Sequence, residues 1–99
     1  MPSIVLTNKA QSDLDSIHEH YQSALGAEGA DDVIATILES LRQLQRFPGS
    51  GRPSVVPDIR ELVLTRYPFV APYRLKDGQL QVLRILHQRS ERPQDWSVQ

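Results

Sequence analysis

The sequence predicts an α+β fold in β-α-α-β-β-β order, with an N-terminal helical hairpin packed on one face of an antiparallel sheet. Three observations predict it. The first half carries two runs of apolar residues at helical spacing. The second half switches to period-two runs. An Asp77-Gly78 pair sits between the last two of those runs, where a tight hairpin turn needs positive φ at both positions.

The elements follow in order. Ser3 to Leu6 is a short β-type run, and Thr7 or Asn8 can cap the helix after it. Ala10, Leu14, Ile17, Tyr21 and Ala24 line one face of that helix, with Asp13, Asp15 and Glu19 on the other side. Gly26 and Gly29 interrupt it. Ala30, Ile34, Ile37, Leu41 and Leu44 repeat the spacing in a second helix, which Pro48-Gly49 stops. Ile59–Thr65, Phe69–Leu75 and Gln79–His87 are the remaining strands.

A two-residue turn at Asp77-Gly78 sets Lys76 opposite Gln79 and Tyr73 opposite Val82. If it continues, Ala71 faces Arg84 and Phe69 faces Leu86. Arg84 then falls on the face of Phe69, Ala71 and Tyr73. His87 falls on the other, with Val70, Pro72, Arg74, Leu83 and Ile85. Only a β-bulge after Arg84 would change that. Both faces are largely apolar, so the one without helices is expected to be partly exposed or covered by a partner. Pro72 cannot donate to a ladder, so its strand must be an edge, a bulge, or paired there through the carbonyl alone.

With 99 residues, 39% hydrophobic and 23% charged, the chain fits one domain over residues 1–99, with a flexible tail from about residue 90. It has no cysteine, which suits a reducing cytoplasm. It has no apolar run of membrane-spanning length and no secretory leader pattern. Neither a cofactor nor a metal is expected. His18 and His20 are two apart on a helix, where chelation needs a spacing of four. The net charge of −1 conceals a split. Residues 1–51 hold three cations and seven anions; residues 52–99 hold eight cations and five anions. Seven of those eight are arginine, whose planar fork suits carboxylate or phosphate. Arg52, Arg60, Arg66, Arg74, Arg89 and Arg92 are therefore the expected partner contacts. Trp96, the one tryptophan, either packs back on the domain or anchors a partner.

The pieces "KAQSDLDSIHEHY", "PGSGRP", "IRELVLTRYPFVAPYRL" and "VLRILHQR" together resemble the RelE/ParE superfamily of toxins from type II toxin–antitoxin systems, over roughly residues 3–90. The resemblance is nearer to the ParE-like branch. It implies a cognate antitoxin that lays an acidic segment over the toxin, and DNA gyrase as the target. RelE-like members instead cut mRNA on the ribosome. YoeB-type ribonucleases place an Arg at the position of Val70, and an Arg, a His and a Tyr at those of Ile85, His87 and Gln88. Only His87 is kept. RelE relies on lysines near mid-chain, and here the only lysines are Lys9 and Lys76. RNA cleavage needs a base, an acid and cations for the phosphorane charge. Any ribonuclease reading must rest on Arg60, Arg84 and His87. The expectation is a gyrase-binding toxin with no catalytic residues and His87 structural. The alternatives are a ribosome-dependent endoribonuclease and a weakly toxic binding module.

Overall fold

A computed structural model describes residues 2–93 and 96. The elements are β1 (Ser3–Leu6), α1 (Asn8–Arg46), β2 (Arg52–Pro53), β3 (Arg60–Val63), β4 (Phe69–Lys76), β5 (Gln79–Val82) and β6 (Leu86–His87). The expected flexibility of the tail falls mainly on residues 94, 95 and 97–99, outside the described ones.

α1 starts where the Thr7 hydroxyl accepts from the Ala10 amide at 3.1 Å, leaving a free N-terminal donor satisfied. It runs as one element from Asn8 to Arg46, but Gly26 inside it has φ 81° and ψ 174°, a conformation essentially confined to glycine. The chain turns there. A straight helix of 39 residues would run about 58 Å. The longest dimension of the molecule is 38 Å. His18 Nε2 and Asp31 Oδ1, on either side of the break, lie 2.7 Å apart.

The sheet has order β1-β5-β4-β3-β2, with β6 also on β4. It is mixed, not wholly antiparallel as expected. β1 runs parallel to β5, from Ser3 opposite Gln79 to Leu6 opposite Val82. The reason is connectivity: α1 carries the chain from β1 across the sheet, and such a crossover permits parallel pairing. The two additional strands, β2 and β6, are two residues each.

Around the Asp77-Gly78 turn, with φ 53° and 75°, Lys76 pairs with Gln79 and Tyr73 with Val82. Beyond Leu83 the expected register fails. Phe69 faces His87 and Val70 faces Leu86, one residue out of step. The β-bulge at 84–85 has a physical origin in Pro72. Leu83 N donates to the Pro72 carbonyl at 2.8 Å, but Pro72 has no N–H to return. The Leu83 carbonyl accepts instead from the Thr7 hydroxyl at 2.8 Å, and the ladder ends there.

The main core lies between α1 and the sheet. Ala10, Ile17, Val33, Ile37, Leu41 and Leu44 meet Leu64, Phe69, Ala71, Tyr73, Leu80, Val82 and Ile85. A smaller cluster of Ile59, Leu83 and Trp96, with Val56, occupies the opposite face. That face was expected to be open or covered by a partner; the chain's own Trp96 covers part of it. Among the described residues no helix is long and apolar enough to cross a membrane.

Candidate functional site

Of the three residues that a ribonuclease reading needs, the bulge moves His87. Ile85 turns into the helix-side core, away from Leu83. His87 lies against Phe69 on the same side, with ring centroids 6.2 Å apart at 80°. Arg84 also reaches α1. The sequence-based separation of Arg84 and His87 onto opposite faces is therefore overturned: the extra residue resets the alternation.

Sharing a side does not make them a constellation. Arg84 is engaged by Asp13, whose Oδ2 accepts from Arg84 Nε at 2.7 Å and whose Oδ1 accepts from Arg84 Nη2 at 3.0 Å. Asp13 Oδ2 also accepts from the Ile85 amide at 3.0 Å, a donor the bulge had released from the ladder. These hydrogen bonds hold the Arg84 guanidinium above its ordinary pKa, against partial burial, which pulls it down. The pair closes the bulge. Two of the five Arg84 N–H donors, and the charge that a phosphate would meet, are taken up by Asp13.

His87 lines a small cleft of ≈ 310 Å³ with Ser16, Ile17, His20, Tyr21, Pro68 and Phe69. Its Nδ1 accepts from the Arg89 amide at 3.1 Å, which leaves the ring proton on Nε2. Tyr21 stands edge-on to Phe69 and to Tyr67, so the cleft has an aromatic floor. His20, exposed on α1, joins this rim.

Arg60 belongs elsewhere. It pairs with Tyr73, whereas His87 pairs with Phe69 four residues along β4, about 13 Å away by strand rise. Arg60 Nη1 donates to the Gly51 carbonyl at 2.7 Å. Gly51 itself is pressed against Tyr73: its amide donates to Tyr73 Oη at 2.9 Å, and a Cβ there would lie 2.6 Å from Tyr73 Cε1. Tyr73 Oη donates onward to the Pro48 carbonyl at 2.7 Å. This knot fixes the 48–53 loop beside Arg60.

Around that knot lies a wider groove of ≈ 820 Å³. Arg60, Arg74 and Lys76 supply its cations, Asp58 is the anion in its lining, and Pro48, Pro53, Pro57, Leu75 and Trp96 form apolar walls. Arg74 Nε donates to Gln81 Oε1 at 2.8 Å, which steadies the side chain over β5.

The other expected contacts divide. Arg66 and Arg89 are exposed. Arg52 and Arg92 both turn onto Glu61, which is buried. Arg52 Nη2 lies 3.1 Å from Glu61 Oε1 and Arg92 Nε 2.9 Å from Oε2. Arg92 Nη1 donates to the Ser90 carbonyl. Trp96 is buried against Ile59 and Leu83. Sequence reasoning missed Asp13 and Glu61. Asp13 did carry a signal, since it stands three residues after Ala10 and four before Ile17, on the edge of the buried stripe. Among the described residues no group of three His, Cys, Asp or Glu could hold a metal ion.

Three similarities complete the picture. The family model described as "ParE toxin of type II toxin-antitoxin system, parDE" matches residues 4–92. The protein described as "Putative toxin Y4kP" of Sinorhizobium fredii (strain NBRC 101917 / NGR234) is 34% identical over 67 residues. That alignment covers 68% of this chain and 69% of Y4kP. Among solved structures, a chain described as "Chromosomal ParDE TA system from P. aeruginosa" is similar with a TM-score of 0.81 and 44% identity. The match covers 88% of this chain and 96% of that one.

Proposed function

Since the chain belongs to the ParE toxin family of type II toxin–antitoxin systems, we propose that it is a toxin that binds DNA gyrase rather than one that cuts RNA. A cognate antitoxin neutralises it, and it works in the cytoplasm without cofactor or metal. The observation that carries this reading is the engagement of Arg84. Its Nε and Nη2 both donate to Asp13, and Arg60 opens into a different groove from His87. A ribonuclease needs its acid, base and phosphate-binding cations converging on one phosphodiester. Here the three residues serve a bulge, a loop and an aromatic cleft.

The antitoxin part draws support from the arginine-rich half and from the cationic groove, which suit an acidic polypeptide. We also read the two arms of α1 about Gly26 as an antiparallel helical hairpin, on the 2.7 Å contact between His18 and Asp31. The test sets purified protein against gyrase supercoiling and, in parallel, against mRNA on translating ribosomes. Inhibited supercoiling with intact mRNA is expected. Codon-dependent cleavage of ribosome-bound mRNA would defeat the proposal. Growth arrest on expression without antitoxin separates an active toxin from a weakened one.

A further inference from the structure

Glu61 is buried on the face of the sheet that carries no helix. It pairs across the strands with Pro72, and Pro72 with Leu83 through the Leu83 amide. These three residues form a row. Arg92 meets Glu61 at one end, and Trp96 packs on Leu83 and Ile59 at the other. Arg52 holds the second carboxylate oxygen from β2. Once seated, Trp96 is one wall of the cationic groove that also holds Arg60, Arg74 and Lys76.

We propose that Glu61 and Arg92 form a latch which seats the C-terminal segment, so that Trp96 completes a groove for an acidic polypeptide segment with an apolar side chain. The occupant rests on the antitoxin reading above; the latch does not. Burying a carboxylate is unfavourable unless cations and hydrogen bonds compensate it. Glu61 therefore favours the state in which both arginines are in place. Arg52 comes from the neighbouring strand, but Arg92 can reach only if the tail docks. The groove favours polypeptide over nucleic acid because its walls are mainly prolyl and aliphatic, beside Tyr73 and Trp96, and Asp58 lies among its few cations.

Trp96 is the only tryptophan, so its emission reports seating directly in the full chain. Arg92→Ala and Glu61→Gln should each shift the emission to the red and raise acrylamide quenching several-fold, with the far-UV circular dichroism unchanged. Arg92→Lys should restore part of the protection, which a general loss of structure would not. Unchanged quenching in folded Arg92→Ala protein overturns the latch, whatever Glu61→Gln does to folding. For the groove, a short peptide alternating glutamate and leucine is titrated against its glutamine counterpart, again with Trp96 emission. The acidic peptide should bind saturably. Arg74→Ala with Lys76→Ala should weaken it about tenfold, and unseating the tail by Arg92→Ala should weaken it too. Equal binding of the glutamine peptide, or tighter binding of single-stranded DNA, overturns the groove assignment. Failure of gyrase inhibition would leave both readouts standing.

Discussion

Asp13 grips Arg84 through two hydrogen bonds of 2.7 and 3.0 Å, and with the same carboxylate takes the amide of Ile85. An acid near the start of the chain thereby closes a bulge near its end. Asp13→Ala should destabilise the protein by about 2–4 kcal/mol, since it strands a partly buried guanidinium and a backbone donor together. Arg84→Ala should cost less, about 1–3 kcal/mol, because Asp13 keeps the Ile85 amide. Urea midpoints of the two variants check the order. The pH dependence follows from sign. The folded-state pKa of Arg84 lies above its unfolded value. Its contribution is present in full below the unfolded arginine range and is lost only as pH rises through the folded value. This pair should therefore add no slope to stability between neutral and mildly alkaline pH.

Thr7 does two jobs with one hydroxyl: it accepts from Ala10 N and donates to Leu83 O. Thr7→Ala should lose about 1–3 kcal/mol from a missing cap and a stranded carbonyl. Thr7→Ser should lose only a fraction of that. Equal losses in the two variants, read by chemical denaturation, would mean that the methyl group rather than the hydroxyl matters.

Two glycines should respond to alanine for different reasons. At Gly26 a Cβ meets nothing within 4 Å, so the expected cost is the backbone's alone, about 1–3 kcal/mol. At Gly51 the backbone is permissive but a Cβ would collide with the Tyr73 ring and approach the Glu61 carbonyl. Gly51→Ala should cost about 1–3 kcal/mol. It should also perturb near-ultraviolet signals from Tyr73, whereas Gly26→Ala should not. Thermal melts with near-ultraviolet circular dichroism distinguish the two.

Toxicity should survive His87→Ala. A lost general acid would lower a ribonuclease by about 10²–10⁴-fold. A binding toxin loses the edge-on contact with Phe69 and the hydrogen bond from the Arg89 amide. Growth after induction, with toxin levels matched by immunoblot, is the measurement.

The helical stripe from Ala10 to Leu44 and the Asp77-Gly78 turn could be read from spacing, because each depends on residues close in sequence. The bulge could not. It arises where Pro72 meets Leu83 and Thr7 substitutes for the missing N–H, three positions far apart in the chain. Strand alternation assumes an unbroken ladder, so it placed Arg84 and His87 on opposite faces. The surplus of arginines was legible as a composition, but not its division. Arg52 and Arg92 are consumed by Glu61, whereas Arg74 and Lys76 line a groove. Trp96 was left open between self-packing and partner contact; it packs on Ile59 and Leu83 and also lines the groove.

The parallel pairing of Ser3 with Gln79 bears on when the molecule can first become harmful. The N-terminal strand leaves the ribosome early, yet the strand it pairs with is made 76 positions later. At about 5–20 residues per second, that is roughly 4–15 s of synthesis. The sheet cannot close around its first strand during that interval, nor can Thr7 meet Leu83. A nascent chain of this topology is without its finished sheet until β5 has been made.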